Sequence, residues 1–129
     1  MIKTIKYTAL LTALALGPSL ACAQKWGPTW SEVTGQLYSR TELNRTPAII
    51  KSIDGRHSLD RVVRSDSGPR KVVVQSPTRK GLQGSDVTLD MTLEPCKRYY
   101  INAQFKSGAG TDWEPVVAHV EAVPGCKTP

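Results

Sequence analysis

Two histidines, three cysteines and a few paired acids are the residues with which this chain could do chemistry. His57 has Ser58 beside it and Asp60 three positions on, the types needed for a base, a nucleophile and an orienting acid. On an extended segment, neighbouring side chains point to opposite sides, and no Gly-x-Ser-x-Gly elbow surrounds Ser58. Asp112 and Glu114 flank Trp113 and suggest a glycosidase pair. That reaction needs two carboxyls facing each other across a cleft, about 5 to 10 Å apart. Two acids in one short loop do not supply it, and Trp113 reads more simply as folded over the edge of a core. Gly108-Ala109-Gly110 lacks the remaining residues of a phosphate-binding loop and reads as a turn. The chain is therefore expected not to be an enzyme, with no catalytic residues, no cofactor, no metal and no nucleic-acid partner. A small hydrolase using His57 and His119 is the catalytic alternative.

What the cysteines do depends on compartment. Lys3 and Lys6 precede an apolar run from Tyr7 to Leu16, followed by Gly17-Pro18 and then Ala21-Cys22-Ala23. This is the pattern of a secretory signal peptide, residues 1–23, cleaved after Ala23. The run is much shorter than the roughly 20 residues of a membrane-spanning helix, so no transmembrane segment is expected in the mature chain. Cys22 opens an alternative, an outer-membrane lipoprotein acylated there. The positions three and two residues before it are Ser19 and Leu20, a poor match to the Leu and small residue usual in such signals.

Removing 23 residues from 129 leaves 106, the length of one domain, residues 24–129. Cys96 and Cys126 then remain, in a periplasmic or secreted protein where disulfides persist. Two cysteines 30 apart, with no Cys-x-x-Cys and only two histidines, lack zinc-site spacing. A Cys96–Cys126 disulfide is expected, clamping the open end of an antiparallel hairpin whose strands are Arg98 to Phe105 and Trp113 to Val123.

These residues need a scaffold, and the clearest element is Asp86 to Glu94. There Val87, Leu89, Met91 and Leu93 alternate with Thr88, Asp90, Thr92 and Glu94, the mark of a half-buried strand. Tyr99, Ile101, Ala103 and Phe105 repeat it. Val116, Ala118, Val120 and Ala122 do so again, with His119 and Glu121 on the opposite, exposed face. Shorter β-rich runs cover Glu32 to Tyr38, Ala48 to Ile53, Arg61 to Arg64 and Arg70 to Gln75. Turns are expected at Asn44-Arg45-Thr46-Pro47, Asp54-Gly55 and Ser67-Gly68-Pro69. About seven short strands predict an all-β chain, a single immunoglobulin-like β-sandwich.

The stretches IIKSIDG, SGPRKVVVQS, LEPCKRYYINAQF and DWEPVVAHVE resemble small secreted bacterial β-sandwich proteins of uncharacterised function. The strand, Gly68-Pro69 turn and valine-rich strand are also similar to PEGA-like modules. The resemblance implies an accessory domain of the cell envelope and assigns no functional residues.

Charge supplies the one candidate surface. The chain carries +6, and loss of Lys3 and Lys6 leaves +4. Arg56, Arg61, Arg64, Arg70, Lys71, Arg79 and Lys80, against Asp60 and Asp66, give residues 56–80 a charge of +5, and the rest of the mature chain −1. Such a segment is suited to an anionic envelope component or an envelope protein, with Arg98 and Tyr100 as neighbours. Equally, charged residues keep strand faces and edges soluble. Trp26 and Trp30 follow the cleavage site, where aromatics can stack on sugars or a partner. A non-catalytic exported binding or accessory domain is the leading expectation. The alternative is an inhibitor of a hydrolase, using the loop from Lys106 to Glu114 with Trp113 as a wedge.

Overall fold

A computed structural model describes residues 29–39 and 42–128. The expected signal peptide (residues 1–23), with Cys22, and Trp26 lie outside the described residues. The chain is all-β, with two sheets packed face to face as a sandwich. Nine strands are present among the described residues: β1 (Ser31–Thr34), β2 (Arg45–Pro47), β3 (Ile49–Ile53), β4 (Arg56–His57), β5 (Val62–Ser65), β6 (Gly68–Gln75), β7 (Asp86–Leu93), β8 (Lys97–Phe105) and β9 (Trp113–Ala122). The excess over the expected seven comes from β2, which occupies an expected turn, and from the two-residue β4.

The first sheet is built on β8. Antiparallel β9 pairs along one edge of β8, while parallel β1 and antiparallel β2 share the other, and β5 pairs with β1. The second sheet has the order β4-β3-β6-β7, all antiparallel. Alternation sends Val33, Val63, Tyr99, Ile101 and Phe105 inward from the first sheet, and Ile50, Ile53, Val72, Val74 and Leu93 inward from the second. Trp113 packs against this core while its indole N–H donates to Ser85 Oγ at 3.2 Å.

Two bulges interrupt the strict alternation. Ile50 faces Val74 while Ser52 faces Val73, so Lys51 is an extra residue and Ile50 and Ile53, three apart, both enter the core. On β9, His119 pairs with Tyr100 and Val117 with Ile101, leaving Ala118 as the extra residue. This corrects the expected face of the last strand. Val117 and Val120 lie beside core residues on β8 yet remain exposed on an edge strand, whereas His119 is half-buried beneath Tyr38.

β1 stops at Thr34 rather than continuing to Tyr38 because the chain turns at Gly35, close against β3. Ala48 N–H donates to Gly35 O at 2.9 Å, and a Cβ on Gly35 would lie 1.7 Å from Ala48 O. The disulfide joins Cys96 and Cys126 with Cα atoms 5.4 Å apart. It closes the end of the β8–β9 hairpin, where Lys97 pairs with Ala122.

Candidate functional site

Three of the predicted cations meet in one cleft of about 380 Å³. Arg56 comes from β4 and Arg70 from β6 of the second sheet, and Arg64 from β5 of the first. His57, the last residue of β4, and Ser58, just beyond it, also line the cleft. Three aspartates share the walls, Asp54, Asp60 and Asp66, so the lining is charge-balanced.

The arginines differ in how they are held. Arg70 is fixed on several sides: Nη1 donates to Asp54 Oδ2 at 3.0 Å, Nε to Asp66 O and Nη2 to Ser67 O. Asp54 also accepts the Lys71 backbone N–H at 2.8 Å. That bond foremost, then the Arg70 contact, hold the Asp54 carboxyl below the usual range, against an opposing effect of burial. Arg64 instead lies over Trp30, its Cζ 4.5 Å from the ring centroid. Its Nε is 3.6 Å from Glu32 Oε2, an ion-pair distance, and no hydrogen bond holds its guanidinium among the described residues. Over half of the Arg64 side chain is exposed, 53%.

Behind Arg64 is a network that sequence reading did not find. Glu32, 4% exposed, accepts from Trp30 Nε1 and from Arg98 Nε, both at 2.8 Å. Arg98 Nη1 continues to Glu121 Oε1 at 3.1 Å, and Tyr100 Oη donates to the same oxygen at 2.6 Å. The Glu32 bond foremost, then one to Tyr100, raise the Arg98 pKa, and the Glu121 bond, then burial, raise that of the Tyr100 phenol. Glu121 is correspondingly lowered, chiefly by the Tyr100 bond. Tyr38 stacks on His119 with centroids 3.6 Å apart and planes 14° off parallel, with Tyr100 edge-on to Tyr38 at 5.5 Å. The sequence places Arg98 and Tyr100 as neighbours of the basic segment. Glu32 carries no local signal, because its two charged partners lie 32 and 66 residues away in the chain.

The other predicted basic residues do not join this cleft. Arg61 lines a neighbouring, apolar one. Lys71 points away from Arg70, as adjacent strand residues must, and pairs with Asp90 at 3.1 Å on an exposed face. Arg79 lies 4.0 Å over Phe105 and donates to the carbonyls of Ser107, Gly108 and Gly110, bracing the β8–β9 loop. Lys80 occupies the adjacent turn in a left-handed conformation, φ 53°. Trp113 is at the core edge beside the braced loop. Among the described residues, no group of three or more His, Cys, Asp or Glu side chains could hold a metal.

No known protein family, curated protein or solved structure matches this chain.

Proposed function

We propose that this is a non-catalytic exported binding domain of the bacterial cell envelope, an immunoglobulin-like sandwich that follows a cleaved signal peptide, residues 1–23. It works in the periplasm or outside the cell. A disulfide in a chain with a secretory N-terminal pattern is consistent with that compartment.

The observation that carries the reading is the convergence of Arg56, Arg64 and Arg70 on one cleft. Arg64 is already stacked on Trp30 with its guanidinium unengaged by hydrogen bonds among the described residues, so little side-chain freedom is lost when a ligand oxygen binds it. Because Asp54, Asp60 and Asp66 share the walls, dense polyanions are less suited than an envelope component or envelope protein with spaced anionic groups.

The test is co-sedimentation of the oxidised mature domain with outer membrane and with peptidoglycan, at low and high salt. Binding should occur at low salt and weaken at high salt. Arg64→Glu should abolish it, while Lys71→Glu, off the cleft, should leave it nearly intact. Equal loss in both variants would reduce the effect to net charge. No binding at either salt would transfer the search to the second reading, hydrolase inhibition by the loop from Lys106 to Glu114 with Trp113 as its wedge. That loop is held in a fixed shape by Arg79 and by a Lys106 N–H to Asp112 O bond of 3.0 Å.

A further inference from the structure

Beside the arginine cleft is an apolar cleft of about 610 Å³, between the β1–β2 connection, the start of β3 and the loop 58–61. Leu37, Pro47, Ile49 and Leu59 contribute its walls. Ser58 and Asp60 line both clefts, so the two meet along one ridge of chain. Leu59 is 104% exposed and Ile49 47%. Single exposed apolar residues need no explanation, but two on the wall of one cleft are a place for an apolar ligand.

The floor is rigid. Gly35 is pressed against Ala48, with room for no side chain, and Asn102 Nδ2 donates to Gly35 O at 3.2 Å and to Gln36 O at 2.9 Å. Arg61 is an exposed cation on this cleft, and its guanidinium has no hydrogen bond or ion pair among the described residues. Together the two linings contain Arg56, Arg61, Arg64 and Arg70 against Asp54, Asp60 and Asp66, an excess of one positive charge.

We propose that the joined clefts hold one amphipathic molecule with a single negative charge, an acyl chain ending in a carboxylate. The chain lies against Leu37, Pro47, Ile49 and Leu59, and the head is met by Arg61 and the arginine cleft. This rests on the binding role proposed above and names the ligand class. Arg61 decides the occupant: a guanidinium on the apolar cleft with no ion pair among the described residues complements one carboxylate and repels a cationic head on the same tail. Acetate, with a head and no tail, forgoes the apolar wall.

Titration calorimetry tests this with dodecanoate below its micelle concentration, dodecyltrimethylammonium and acetate. Dodecanoate should bind, the cationic amphiphile should bind about tenfold or more weakly, and acetate should not bind measurably. Leu59→Asp, at a fully exposed position that cannot threaten the core, should weaken dodecanoate about tenfold or more. Leu82→Asp, on the separate turn formed by Arg79 and Leu82, should change nothing. Failure of dodecanoate to bind, equal binding of the cation, or indifference to Leu59→Asp would overturn the proposal. Envelope co-sedimentation that persists when dodecanoate does not bind removes this inference alone, whereas loss of both removes the binding role as well.

Discussion

At the scale of single residues, the one buried charged side chain among the described residues is a carboxylate, Glu32. Removing a charged group from water costs several kcal/mol unless it is paired and hydrogen-bonded, and Glu32 is, by Arg98 and Trp30, with Arg64 nearby. The Arg98 guanidinium transmits that arrangement to Glu121 and Tyr100. A pH dependence follows. The folded phenol of Tyr100 is raised above its unfolded value of about 10, so its contribution is complete below that pH and is lost as pH rises through the folded value. Glu121 is depressed, so its contribution is present above about 4.3 and is lost as pH falls through the folded value. Tyr100→Phe should therefore lower the melting temperature at neutral pH and flatten both limbs of its pH profile. Thermal unfolding from acid to alkaline pH checks this, and unchanged limbs would mean that the pair is inert.

At the scale of elements, backbone placement decides more than side-chain chemistry. Gly35 ends β1 because no other residue fits against Ala48, and the same close approach forms the floor of the apolar cleft. Gly35→Ala should cost about 3 kcal/mol or more by overpacking, since the clash is with backbone rather than a movable side chain. Gly108→Ala, whose Cβ would meet Asn44 Oδ1 at an ordinary 3.5 Å, should be nearly neutral. Urea unfolding of the two variants separates these outcomes. The edge strand β9 shows another backbone decision. Pro115 lacks a donor and Ala118 is bulged, and both discourage pairing with another chain despite exposed Val117 and Val120.

At the scale of the molecule, the sandwich depends on one covalent closure. Cys96 and Cys126 enclose a separation of 30 residues, and in the chain-entropy picture such a link stabilises by about 3 to 4 kcal/mol. A whole small domain is typically stable by about 5 to 15 kcal/mol. The double variant Cys96→Ser, Cys126→Ser should thus lose a large share of its stability while keeping an all-β circular dichroism spectrum. Equilibrium unfolding with and without reductant measures the loss, and a variant as stable as the oxidised chain would remove the clamp from the account.

The sequence alone determined the features that depend on near neighbours or on elimination. Period-two alternation marks β7 and β8, and Cys96 and Cys126 are the one pair that remains if Cys22 belongs to an export signal. It also determined which residues were basic, but not which would meet. That was decided by tertiary structure: Arg56, Arg64 and Arg70 come together from three strands, whereas Lys71, adjacent to Arg70, is turned away by the pleat. The bulges at Lys51 and Ala118 reset which side chains face inward, and the parallel β1–β8 pairing put Glu32 against Arg98. An inserted residue in a ladder and a pairing across 66 positions leave no local pattern, because their energy comes from contacts that exist only once the sheets have formed.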